Sequence, residues 1–198
     1  MSELKVNKIS PATGTAFTLG DSGDTFTVPS GATFTNSGTA TGFGGGKILQ
    51  VVSTTLTSTV SGNANSWADV TGLAASITPS ATSSKILVTC SLTYASPSTN
   101  NAMVRLERGG TGLCIGDAAG SRTRGTMKME RSNSSGNESG AIVYLDSPST
   151  TSSTEYYIQA RSSSDTGTWY FNRAEVDGDA EAQCRGASTI TLMEIDGS

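Results

Sequence analysis

The chain contains no histidine among its 198 residues. Histidine is the commonest general base and metal ligand at neutral pH, so its absence excludes a Ser-His-Asp triad and argues against a transition-metal site. Cysteine is also scarce: Cys90, Cys114 and Cys184 are an odd number and form no Cys-x-x-Cys pair. They support neither a disulfide framework nor a zinc site, and Cys90 is expected to be a small core residue in a reducing compartment.

Charge and long apolar runs are scarce as well. Charged residues make up 15% of the chain and the net charge is −4, so no basic face for nucleic acid is expected. No run reaches the ~18 apolar residues of a membrane helix. Residues 1–10 lack the apolar segment of a secretory signal. These absences predict a protein made and folded in a cytosol, with no membrane insertion.

The polar residues that are present favour strands over disorder. Thr and Val are abundant while charge is low, which is typical of β-proteins. Polar and apolar residues alternate cleanly in 85–94, where Leu87 is the exception, and in 102–107 and 155–161. Further strand candidates are 47–60, 66–70, 73–78, 111–115, 141–146, 168–172 and 187–195. No segment has the period of an amphipathic helix, so we predict an all-β fold, an antiparallel sandwich or jelly roll.

A repeat occupies the N-terminal part of the chain. Glycine, two residues and then Phe-Thr occur at Gly14, Gly23 and Gly31, and a degenerate copy follows. Each unit predicts short strands around a turn. One aromatic side chain per unit cannot form a core within a single chain, so we expect these units to stack on copies from neighbouring chains. The residues expected to pack between subunits are Phe17, Phe26, Phe34 and Phe43.

A glycine cluster at 42–46 predicts the boundary between two regions, because clustered glycines are flexible and have no side chains to pack. We therefore predict an N-terminal attachment and oligomerisation segment, 1–46, and a head domain, 47–198. The cluster resembles a phosphate-binding loop only superficially. That motif requires glycine at 41 and Ser or Thr at 48, where this chain has Thr41 and Ile48. No nucleotide or other cofactor is expected.

An acidic run is the first candidate for a chemical site. Its carboxylates belong to Glu175, Asp177, Asp179 and Glu181. On a strand they would share one face and suit Ca²⁺, but the spacing does not match an EF-hand loop. Glycoside cleavage would require burial to raise the pKa of one carboxyl, and only Val176 supplies apolar surroundings. A solvated loop is the favoured interpretation.

Two further clusters allow a ligand-binding interpretation. The basic stretch consists of Arg122, Arg124, Lys128 and Arg131, with Met127 and Met129 between them. It could contact an anionic glycan or another protein, although a solvated loop is the favoured interpretation. Trp169, Tyr170 and Phe171 could stack on a sugar. Alternation places Trp169 and Phe171 on one face, which favours core packing instead.

Several stretches of this sequence resemble fibre and other virion proteins of tailed phages, notably marine and cyanobacterial ones. They are the N-terminal runs 2–9 and 20–34, and in the later region 66–73, 77–79, 84–88, 145–148 and 190–195. The resemblance covers nearly the whole chain. It implies a homotrimer with an intertwined N-terminal shaft or base and a jelly-roll head similar to tumour-necrosis-factor domains. No catalytic motif of such proteins has matching positions here, so the resemblance implies no enzyme.

The resemblance leaves the position in the virion open. A tail fibre that binds a host-surface glycan is the first expectation. A head fibre or capsid decoration protein is the second, because the chain is short and has no long shaft. A carbohydrate-binding module and a depolymerising tailspike are the rivals from other classes. The expected partners are two further copies of the chain and other virion proteins, and the expected location is the virion, assembled in the host cytoplasm.

Overall fold

The computed structural model describes residues 9, 13–16, 18–33, 35, 37, 48–97, 100–129 and 135–197. The chain divides into two compact units, Met1–Phe43 and Gly44–Ser198. The described residues form strands and no helix, as the sequence predicts. Accordingly, no helix in this part of the chain is long and apolar enough to cross a bilayer.

All eleven strands belong to the second unit and pair antiparallel. They are β1 (Ile48–Leu56), β2 (Val60–Gly62), β3 (Ala68–Ile77), β4 (Lys85–Ala95), β5 (Ala102–Arg108), β6 (Thr111–Leu113), β7 (Met127–Met129), β8 (Glu138–Asp146), β9 (Thr154–Ser162), β10 (Trp169–Phe171) and β11 (Ser188–Ile195).

The first sheet is built around β4. Strand β11 pairs with one edge of β4 and β8 pairs with the other edge. Strand β10 pairs with Tyr94 and Ala95, just beyond the part of β4 that β11 covers. Strand β1 borders β11 and strand β2 borders β10. The widest part of this sheet therefore has the order β1–β11–β4–β8.

The second sheet has the order β3–β9–β5, and two short strands share the remaining edge of β5. Strand β7 pairs with the first residues of β5, Ala102 to Val104, and β6 pairs with the last, Leu106 to Arg108. The two sheets enclose the core. Strands β4 and β9 show the expected alternation, with every second residue buried, because one face of each strand packs against the other sheet.

In the second unit, the predicted strands agree with the structure except in three places. The two strands expected at 66–70 and 73–78 are one strand, β3, whose pairing with β9 shifts register between Asp69 and Ala74. Gly72 lies in this irregular stretch at a φ of 85°, a conformation that glycine adopts without strain. The single strand expected at 47–60 is divided into β1 and β2. Strand β7 was not predicted, because its residues lie in the polar basic stretch.

The first unit contains turns where the repeat places its glycines. The amide of Asp24 donates to Asp21 and the amide of Ala32 donates to Pro29, at 3.0 and 3.1 Å. Gly23 and Gly31 hold the third position of these turns with φ of 99° and 86°, as type II turns require. The short strands expected here do not form in the described residues of the unit, since these residues make no ladder of backbone hydrogen bonds.

Of the four repeat phenylalanines, only Phe26 is among the described residues, and its side chain is 64% exposed. This exposure agrees with the argument that one aromatic per repeat cannot be buried within its own chain. Phe17, Phe34 and Phe43 lie outside the described residues.

Candidate functional site

The outer face of the first sheet carries a row of apolar side chains. Cross-strand pairing places Val51 beside Met193, Met193 beside Leu87, and Leu87 beside Leu145. We call these four residues the apolar row. Val51 and Leu145, at its two ends, are each 55% exposed. Val143, on the neighbouring row of β8, is 67% exposed. Large apolar side chains that remain in water at this density mark a contact surface more often than a solvated one.

The outer face around this row carries little charge. The next cross-strand row contains Ser53, Thr191, Thr89 and Val143. The outward positions of β1 after Gln50 and of β11, β4 and β8 contain one charged residue, Lys85. The structure describes all four strands in full. Depletion of charge is the main compositional difference between the centre of a protein interface and ordinary surface.

The size of this face also suits a protein contact. Four strands spaced about 4.8 Å apart and about 30 Å long give a projected area of roughly 600 Å². A stable interface removes about 800 Å² of accessible surface from each partner. A side-chain-covered face of this size is therefore of the right order for one subunit contact.

Sequence reasoning missed this face, although one signal for it was present. Leu87 broke the alternation of 85–94, because an apolar residue stood at a position expected to face water. The structure shows that Leu87 faces outward at the centre of the apolar row. A single exception does not reveal a patch, since the patch exists only once four strands distant in sequence are aligned.

The basic stretch takes part in an open groove on the outer side of the second sheet. Arg122 and Lys128 line this groove, which has a volume of about 580 Å³. Lys128 lies on β7 directly beside Met103 of β5. Arg124 instead donates to the carbonyl oxygen of Gly116 at 2.6 Å, and Arg131 lies outside the described residues. The structure thus brings together two of the four cations that the sequence indicated.

A polar chain of contacts crosses the same sheet beside this groove. Gln159 donates to Asp69 at 2.7 Å and accepts two hydrogen bonds from Arg105 at 2.9 and 2.7 Å. The Arg105 guanidinium lies 4.5 Å from the ring centre of Trp67 and 2.7 Å from the carboxylate of Glu107. Glu107 is buried and accepts no hydrogen bond from the described residues. Burial raises the pKa of Glu107, and Arg105 partly offsets this rise.

The acidic run forms an irregular loop and not a strand. Asp177 accepts from Arg185 at 2.8 Å and lies 3.7 Å from Arg173. Within the described part of the chain, no three acidic or cysteine side chains converge as a metal site would require. Glu175, Asp179 and Glu181 therefore do not join Asp177 in a cation cage, and the favoured interpretation as a loop agrees with this geometry.

The aromatic cluster packs as the alternation predicted. Trp169 and Phe171 are buried, with their ring centres 6.0 Å apart and their planes at 83°. This edge-to-face arrangement is a favourable core contact. Tyr170 points the other way, and the Arg173 guanidinium lies 4.6 Å from its ring centre. The rings of Trp169 and Phe171 are thus not available to a sugar.

No protein-family model matches this chain, and no curated protein matches it significantly.

Proposed function

We propose that this chain is a structural component of a phage virion, a homotrimeric fibre with a C-terminal knob that attaches to the tail and binds the host surface. The observation that carries the proposal is the outer face of the first sheet, which carries little charge, with its apolar row. The face is large enough for a subunit contact and is exposed in a single chain. The sequence resemblance to phage fibre proteins supports the same assignment.

The strand order supports a jelly-roll head for this fibre. Successive strands β3, β4 and β5 alternate between the sheets, and so do β8, β9 and β11. The orders β1–β11–β4–β8 and β3–β9–β5 with β6 and β7 follow the two four-stranded layers of a double-sheet jelly roll. This strand order supports the proposal that the head resembles the tumour-necrosis-factor-like domains that the resemblance implies.

In the proposed trimer, each head packs its apolar row against a neighbouring copy. A closed ring of identical subunits buries the same patch in every copy and leaves no face exposed for further growth. The N-terminal repeats of the three chains then pair their strands and stack Phe17, Phe26, Phe34 and Phe43. A strand pairing between chains would supply the ladder of backbone hydrogen bonds that the described residues of these repeats do not form alone.

A capsid attachment remains the alternative within the same class. The alternative is a head fibre or a capsid decoration protein. Both assignments use the same trimer. They differ in copy number, because a tail carries few fibres while a capsid carries tens to hundreds of decoration proteins.

Immunogold labelling of purified phage particles tests the proposal. An antibody raised against residues 44–198 should label intact particles at the tail, with few gold particles on each. Dense labelling over the capsid would support the decoration alternative. Particles that are free of label, and whose proteins lack this chain by mass spectrometry, would contradict a virion role.

A further inference from the structure

We infer that the groove beside β7 binds an anionic saccharide bearing carboxylate or sulfate groups, an assignment that rests on the proposed host-surface role and gives it a ligand class. The groove is lined by two cationic side chains, one side-chain amide, one free hydroxyl and two methionines: Arg122, Lys128, Asn101, Thr123, Met103 and Met127. Its volume of about 580 Å³ lies within the ~300–1,000 Å³ of small-molecule sites.

The two cations of the groove have no acidic partner among the described residues. Other arginines have acidic partners: Arg105 pairs with Glu107, Arg108 with Asp146, and Arg185 with Asp177. Among the described residues, the side chains of Arg122 and Lys128 make no ion pair, hydrogen bond or ring contact. Both side chains are exposed, so they can contact an anion without first breaking an internal contact.

The neutral groups of the groove suit a polyhydroxylated ligand. The side-chain amide of Asn101 and the hydroxyl of Thr123 have no partner among the described residues, and together they can donate to and accept from sugar hydroxyls. Met103 and Met127 offer polarisable apolar surface to the C–H groups of a sugar ring. The lining thus combines charge, hydrogen-bonding groups in both directions and apolar surface.

An acidic peptide is the rival occupant. Extended peptides commonly gain affinity by adding a strand to a free sheet edge. The groove lies over the paired strands β5 and β7, where Met103 and Lys128 are in register and the facing main-chain groups are already used. A ligand that lies over these two strands is held by their side chains, which favours one rich in hydroxyl and charged groups.

The position of the groove is compatible with the proposed trimer. Alternate residues of β5 face opposite sides of the sheet. Ala102 and Val104 point into the core, so Asn101 and Met103 are on the outward side. The apolar row lies on the outer side of the other sheet. Subunits that pack through the apolar row would leave three grooves open, and three weak contacts on one rigid particle would gain avidity.

The test is calorimetric titration of the full-length protein with matched oligosaccharides. A κ-carrageenan oligosaccharide is compared with its chemically desulfated form of equal length, and an oligogalacturonate is compared with its methyl ester. A hexaglutamate peptide represents the acidic protein segment. We expect at least one charged saccharide to bind about tenfold or more tightly than its neutral match and than the peptide, and to weaken as salt rises.

Three single variants locate the binding. Arg122→Gln and Lys128→Gln should each weaken the saccharide by about tenfold, since each removes a charged contact. Arg185→Gln removes the same charge from the acidic loop and should change the affinity by less than about twofold. Equal loss in all three variants would show a nonspecific charge effect and overturn the inference.

The outcomes separate this inference from the proposed function. Sedimentation of the same samples reports the subunit number. A wild-type trimer that binds none of the saccharides overturns the groove assignment and leaves the fibre proposal standing. A monomer that binds a charged saccharide through Arg122 and Lys128 sustains the groove and contradicts the trimer. Tighter binding of hexaglutamate than of either charged saccharide would replace the ligand class with an acidic protein.

Discussion

Glu194 is a buried carboxylate that accepts four hydrogen bonds. Its carboxylate is fully buried at the end of β11. It accepts hydrogen bonds from the amide and hydroxyl of Ser80, from the hydroxyl of Ser84 and from the side chain of Gln50, at 2.6 to 2.7 Å. Burial alone would raise the pKa of Glu194, but these hydrogen bonds outweigh it and lower the pKa to about 2.

The first prediction is that Glu194→Gln lowers the free energy of unfolding and makes it depend less on pH in the acid range. A glutamine cannot accept from all these donors and presents its own N–H₂ to some of them, so we expect a loss of about 2–4 kcal/mol at pH 7. The wild-type contribution is full above the ordinary pKa of glutamate and falls as pH drops towards 2, because the lowered folded-state pKa favours the ionised form.

Urea unfolding between pH 7 and pH 2.5 measures both effects. Glu155→Gln, on β9, supplies the matched control, because it makes the same exchange at an exposed position. The control should keep the wild-type slope of stability against pH below pH 4.5. If Glu194→Gln kept the wild-type slope of stability against pH, this carboxylate would not be the cause of the loss of stability in acid.

At this scale the sequence predicts burial better than it predicts partners. Alternation placed Trp169 and Phe171 in the core, and it also places Glu194 on the buried side of β11 with Ile190 and Leu192. This position, two residues after Leu192, was the signal in the sequence for a buried carboxylate. Its partner Ser80 lies 114 positions earlier in the chain, and only the three-dimensional pairing of β11 with its neighbours could identify it.

Asn172 stabilises the point where the first sheet changes partners. It is fully buried with a φ of 60°. Its amide nitrogen donates to the carbonyl oxygens of Leu56 and Ser58, at 2.8 and 2.9 Å, and its side-chain oxygen accepts from Ser188 at 2.7 Å. It thereby connects the segment between β1 and β2 to the end of β10 and the start of β11.

The second prediction concerns Asn172→Asp. The substitution keeps the size of the side chain and its tolerance of positive φ, but it turns a carboxylate oxygen towards two carbonyl oxygens. We expect a loss of about 3 kcal/mol or more in urea unfolding at pH 7. Asn172→Gly keeps the backbone conformation and removes the repulsion, so it should be the milder variant. The opposite ranking would contradict the role given to the amide.

At the scale of elements, long strands were predictable and short ones were not. Strands β4, β5, β9 and β11 bury one face and therefore carry a period of two. Strand β7 spans only Met127–Met129 and carries no period. It is a strand because β5 lies beside it, and that neighbour is not visible in the local sequence.

The N-terminal repeats give the third prediction. Their glycines form the turns that the repeat indicates, while Phe26 remains mostly exposed in the single chain. Phe26→Asp combined with Phe34→Asp should release monomers, because burying an unpaired charge between chains costs several kcal/mol. Sedimentation velocity measures the result, with Thr25→Ser and Thr33→Ser combined as the control. An unchanged trimer would argue against stacking of the repeats.

At the scale of the whole molecule, the apolar row gives the fourth prediction. Leu145→Asp should dissociate the proposed trimer, because it places an unpaired charge in the apolar row that forms the contact. Leu145 is exposed in the single chain, so the fold itself should survive the change. Val176→Asp is the matched control, since Val176 is 46% exposed but lies on the acidic loop. If Leu145→Asp and Val176→Asp had the same subunit number, the apolar row would not be part of the interface.

The most direct test of the account is the subunit number of the unmodified full-length protein. Sedimentation equilibrium at micromolar concentration should give three times the chain mass of 20.2 kDa, with no smaller species at the lowest measurable concentration. A stable 20.2 kDa monomer under the same conditions would contradict the trimer and, with it, the proposed use of both the apolar row and the N-terminal repeats.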